Sequence, residues 1–113
     1  MTTEIYISKL ILELESDIII YRKDLESIKP NLYKYIDDYF NGIIFINSLT
    51  KYLKGCQLSI KTYKFDIARN NIKIEKLRNC KTIEDANKIM RSIISKEIVI
   101  EYINQNKKLK MEN

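Results

Sequence analysis

The side chains with the capacity for chemistry are few and poorly spaced for it. Asp37-Asp38 is the one acidic doublet beside an aromatic cluster. Adjacent helical positions point about 100° apart, so the two carboxylates cannot converge on one metal or substrate. Glu13 and Glu15 fail for the same reason. The chain has no histidine, which removes the commonest general base, metal ligand and pH switch together. Cys56 and Cys80 alone cannot complete a tetrahedral zinc site, and a cysteine nucleophile here lacks its usual base. The Glu-x-x-His pairs of di-iron bundles are absent too. Gly42 and Gly55 are isolated, so neither GxxxxGK[ST] nor GxGxxG is present. The expectation is a non-enzyme without metal or cofactor.

The chain is 113 residues long, 45% apolar and 31% charged. That is enough to bury a core in one domain, and too apolar for wholesale disorder. We expect the domain to span 1–106, with a polar, basic tail at 107–113 that frays. There are 22 isoleucines, two alanines, and 16 lysines against four arginines. Those biases follow AT-rich codons and point to a low-GC bacterium, phage, plasmid or large DNA virus. The opening MTTEIYISKLILELE is interrupted by Glu4, Lys9 and Glu13, so no signal-peptide core is visible. No apolar run approaches the ~18 residues of a membrane span. A cytoplasmic location is expected, in the producing cell or in an infected host, with no membrane partner and reduced thiols.

Four periodic segments must position everything else. Ile7, Ile11, Leu14, Ile18, Tyr21, Leu25 and Ile28 alternate spacings of four and three, the seam of a helix with one buried stripe. Lys29-Pro30 predicts its end. Leu32, Ile36, Tyr39, Ile43, Ile46 and Leu53 continue the pattern, with Thr50 at the remaining position. Lys51, Lys54 and Gly55 form a helix stop. Gly42 falls mid-segment, as a kink or close crossing. Thr82, with Glu84 and Asp85 after it, is an N-cap for a last helix carrying Ile83, Ala86, Met90, Ile94, Ile98 and Tyr102. The fold expected is all-α, an up-down four-helix bundle with helices at about 4–29, 31–54, 57–79 and 82–105. The third segment carries an alternative. Tyr63, Phe65 and Ile67 alternate with polar residues, and Arg69-Asn70-Asn71 could turn, giving an α+β fold with a hairpin at 58–77. Helix is preferred because it divides the chain into equal elements with short joints.

Charge is more informative than any motif. Residues 1–50 carry a net −3, residues 51–81 a net +7 and residues 82–113 a net +1. With Ile60, Tyr63, Ile67 and Ile74 facing a core, Leu58, Phe65 and Ile72 form a second stripe at intervals of seven. Lys61, Arg69 and Lys76 share its sector. An exposed apolar stripe rimmed by cations is what a partner-binding or self-association surface looks like. Leu58, Lys61, Phe65, Arg69, Ile72 and Lys76 are therefore the candidate partner-binding residues, and the expected partner is a protein with an acidic surface. The expected function is a non-catalytic binding bundle of inhibitor, immunity or adaptor type. Nucleic-acid binding through the same strip and a homo-oligomeric structural bundle are the alternatives. Leu10, Leu12, Ile19 and Ile20 lie off the first seam, suiting a helix that touches two neighbours or a second chain. Segment 57–79 also makes a simple prediction. On one helix Cys56 and Cys80 stand ~36 Å apart, so mild oxidation should leave both thiols free; a readily formed intramolecular disulfide would establish the hairpin.

Overall fold

The computed structural model describes residues 2–112, with side chains through Lys107. Four helices make up the chain: α1 (Thr3–Phe40), α2 (Ile46–Arg78), α3 (Ile83–Arg91) and α4 (Lys96–Glu112). No strand occurs among the described residues, so segment 58–77 is helical and the hairpin alternative falls. Class and helix number match expectation, but the division into four equal helices is corrected. Two long helices form an antiparallel hairpin, and two shorter ones pack at one end of it.

Pro30 lies inside α1 and does not end it. A mid-helix proline removes one backbone hydrogen bond and crowds the preceding turn, at roughly 3 kcal/mol. Here it faces solvent, where water can serve the freed carbonyl, while Ile28 and Leu32 on either side are drawn inward. The seam expected from Ile7 to Ile28 therefore runs on through Leu32, Tyr35 and Tyr39, all at least half-buried. Gly42, not Pro30, stops the helix. It adopts φ +75°, the left-handed position that closes a Schellman cap. The Ile43 N–H donates to the Asp38 carbonyl at 2.8 Å and the Gly42 N–H to the Tyr39 carbonyl at 3.1 Å.

α2 then runs through Gly55, the expected stop. Leu49, Leu53, Cys56, Ile60, Tyr63, Ile67, Asn70, Ile74 and Leu77 alternate four and three without a break, and each is buried or half-buried. Ile43 and Ile46, expected on a seam, are exposed because the turn lies there. Pairings along the hairpin show the antiparallel register. Tyr35 stacks on Tyr52 with ring centroids 4.2 Å apart, Tyr21 meets Tyr63 at 6.2 Å, and Glu15 reaches Arg78 at 3.8 Å.

Thr82 caps α3 as expected, accepting from the Asp85 N–H at 3.1 Å. The single helix expected over 82–105 breaks at Ser92–Ser95. Ser92 turns extended, and its hydroxyl donates to the Ile89 carbonyl at 2.6 Å. Ser95 accepts from the Ile98 N–H at 3.4 Å and restarts the chain as α4. Serine hydroxyls that bond the nearby backbone compete with helix continuation. The break drives Ile94 into the core and leaves Ile93 97% exposed. The tail expected to fray from 107 has helical backbone to Glu112; Asn113 lies outside the described residues.

Two apolar clusters fill the end where the four helices meet. Ile7, Leu14 and Ile18 of α1, Ile74 and Leu77 of α2, and Ala86 of α3 form the first, with Leu10, Ile11 and Cys80 against it. Ala68 and Ile72 with Ile94 and Val99 form the second, flanked by Phe65, Tyr102 and Ile103. Leu77 and Val99 are fully enclosed. The molecule measures 60 × 33 × 26 Å, the long axis being the length of α1 and α2. The two glycines separate cleanly in what they contribute. Gly55 is helical with open space around its Cα, so Gly55→Ala should raise stability by about 1 kcal/mol. Gly42→Ala should lower it by about 1–2 kcal/mol, because φ is positive there. Urea unfolding of both variants checks this, and equal effects of one sign would refute the cap.

Candidate functional site

An open groove of about 640 Å³ lies between α2 and α4, within the usual size of a ligand cleft. Its floor is Ile60 and Phe65 of α2 with Ile100 and Ile103 of α4, and its rim carries Lys61, Lys64, Lys96 and Lys107. On α4 the spacing from Lys96 through Ile100 and Ile103 to Lys107 is four, three and four, which sets all four on one helix face. Gln57, Lys61 and Lys64 repeat four and three on α2. No carboxylate lines the groove. The ion pairs among the described residues are Arg69–Asp66 at 3.2 Å and Arg78–Glu15 at 3.8 Å, and neither takes up a groove lysine. Lys96 opens α4, so the positive end of that helix dipole adds to the rim.

The six sequence-derived residues are not one surface. Lys61 and Phe65 line the groove. Leu58 is 68% exposed and outside it. Arg69 is tied to Asp66 one turn back, and Lys76 stands exposed nearer the other end of α2. Ile72 is 7% exposed, packed with Ile94 and Val99. Along the stripe Leu58–Phe65–Ile72, Phe65 and Ile72 pack with α4 and its connection, and Leu58 is left exposed. The expectation of a fully exposed stripe is corrected accordingly. Gln57, Lys64, Lys96, Ile100, Ile103 and Lys107 were missed, and Ile60 was expected to face only the core, because their role depends on α4 lying beside α2. The four-three-four spacing of the α4 set was the available signal.

Other concavities and reactive groups carry less. A pocket of about 250 Å³ between α1, α2 and Tyr102 mixes Glu15 and Glu75 with Arg22 and Arg78, and so neutralises itself. No group of three or more cysteine, aspartate or glutamate side chains is placed to hold a metal among the described residues. Asp37 and Asp38 sit in the last turn of α1, without convergence on a third carboxylate. Both thiols are free. Burial, then the nearby Asp85 carboxylate, pushes the Cys80 thiol up, which keeps it protonated and a poor nucleophile. Burial, then the Cys56 thiol beside it, likewise raises the Tyr52 hydroxyl. Lys73 is lowered by burial and then by Arg69, and its ammonium donates to the Met90 carbonyl at 3.1 Å, tying the end of α3 to α2.

The hairpin tip is a second exposed apolar feature. Phe40 and Ile43 are exposed and Phe45 is 83% exposed. Behind the tip, Ile5, Leu12, Ile19 and Tyr33 lie exposed on α1 in phase with Phe40 at multiples of seven, with Glu26 in the remaining position. No helix is long and apolar enough to cross a membrane among the described residues. Comparisons with protein-family models, curated proteins and solved structures return no match.

Proposed function

We propose that this chain is a non-catalytic protein-binding domain, of inhibitor, immunity or adaptor type, that docks an acidic partner surface at the groove between α2 and α4. One observation carries the reading. Four lysines without a carboxylate partner among the described residues rim an apolar floor of Ile60, Phe65, Ile100 and Ile103. Apolar burial supplies affinity for a protein surface, and complementary charge supplies steering and selection. A nucleic acid would use the same lysines, but a floor with Phe65 as its single aromatic ring cannot stack successive bases, and the rim has no arginine fork for bidentate phosphate contact.

The test is capture from the native host by the full chain and by Lys61→Glu/Lys64→Glu, with circular dichroism on both. The expected outcome is a protein retained by the wild type, lost by the variant at unchanged helicity, and eluted as salt rises from ~50 to ~500 mM. Retention that ignores the charge reversal refutes the groove. An eluate dominated by nucleic-acid absorbance refutes the protein partner in favour of the rival.

Self-association is the second reading, favoured by the seven-residue stripe on α1 and the tip it leads to. A period of seven is the spacing that helices pairing along their length require. It predicts a concentration-dependent dimer mass in sedimentation equilibrium, returned to monomer by Leu12→Glu/Ile19→Glu. A monomer at ~100 µM, roughly a hundredfold above a micromolar dissociation constant, would dismiss it.

A further inference from the structure

We infer that the occupant of the α2–α4 groove is an acidic amphipathic α-helix of the partner. This rests on the protein-binding reading and goes beyond it by specifying the form of what docks. Both walls of the groove are helices, and each presents residues at three- and four-residue spacing. The surface that interdigitates with two such walls is a third helix, with apolar anchors at i, i+3 or i+4, and i+7. An extended segment has nothing to pair with. The walls' backbone groups are engaged within their own helices, and there is no sheet edge among the described residues. A polyproline segment needs an aromatic-lined groove, and Phe65 is the sole aromatic here.

The lysines specify charge and length. Lys61 and Lys64 stand on one wall, with Lys96 and Lys107 on the other. The partner helix therefore carries carboxylates on both flanks of its apolar stripe. Lys96 and Lys107 are eleven residues apart on α4, ~16 Å along its axis, so about three turns of partner helix span the site. That spread also argues against a fatty acid. One carboxylate meets one or two cations, and four lysines distributed along both walls would be left largely unused. Glu97 and Glu101 flank a separate depression with Asn104 and Gln105, beyond Ile100, and do not enter the groove.

Fluorescence anisotropy with the full chain tests this. The probe is a fluorescein-labelled peptide of about 14 residues, with leucine at i, i+3, i+4 and i+7 and glutamate on the flanks. Its controls have the same composition scrambled and every glutamate replaced by lysine. Saturable binding is expected, with at least ten-fold weaker affinity for both controls and a gain of peptide helicity in circular dichroism. Lys61→Glu/Lys64→Glu/Lys96→Glu should lose the acidic peptide at least ten-fold and gain the lysine peptide. That exchange cannot come from a misfolded variant. Equal binding of the scrambled peptide, or full displacement by hexadecanoate without any helicity gain, overturns the inference. If the acidic peptide fails while host capture still depends on Lys61 and Lys64, the helix inference falls and the protein-binding reading stands. If capture is independent of those lysines as well, both fall.

Discussion

The structure depends on one packed seam, the antiparallel contact of α1 with α2. Ten positions from Ile7 to Tyr39 meet nine from Leu49 to Leu77, all at alternating spacings of four and three, and all at least half-buried. Burying an isoleucine or leucine contributes about 1.5–3 kcal/mol. Pro30 and Gly55 oppose that sum by roughly 3 and 1 kcal/mol. The seam therefore outweighs both local breakers, and each helix runs straight past its own stop signal. Packing of the apolar faces, more than intrinsic propensity, holds each helix in place. The Schellman cap at Gly42 turns the chain back at the one place where a seam position has no side chain to pack.

Support along this seam is uneven. At the end that holds α3 and α4, two clusters join around Leu77 and Val99. Towards the tip, the hairpin relies on half-buried Leu25, Ile28 and Leu32, the Tyr35–Tyr52 stack, and buried Leu49 and Cys56. With no third layer there, apolar burial per residue is lower, and local opening should begin at that end. Phe45 shows the same economy: it occupies the N-cap of α2 without a side-chain hydrogen bond, where serine or aspartate would satisfy a free N–H. The groove lies alongside the better supported part, where α4 braces α2.

Much of this was legible in the residues. The first seam and the Thr82 cap follow from periodicity and cap chemistry, and both stand in the structure; the helix preferred at 57–79 stands too, but the equal division of the chain that favoured it does not. The helix ends did not follow, because Pro30 and Gly55 were weighed as local breakers without the packing on either side. The phase of the apolar pattern passes through both, and that continuity was the stronger signal. Segment 82–105 shows the opposite failure. Its apolar spacing persists across Ser92–Ser95, but serine–backbone hydrogen bonds break the helix there. Part of one groove wall was visible, as Lys61 and Phe65. The other wall was not, because nothing within segment 57–79 says that α4 covers Ile72 and stops short of Leu58.

The charge asymmetry of the chain leads to the same place. An acidic first half and a basic stretch at 51–81 could neutralise each other inside the fold, which would leave no field for a partner. The described residues do not bear that out. Between α1 and α2 the ion pair is Arg78–Glu15, long at 3.8 Å, with side chains 62% and 45% exposed. A pair so exposed contributes at most about 1 kcal/mol. Arg69 spends its charge within its own helix on Asp66. The groove lysines, by contrast, stand exposed around an apolar floor, and neither ion pair takes one of them up. The positive rim is thus a consequence of α4 lying beside α2 with lysines on both walls.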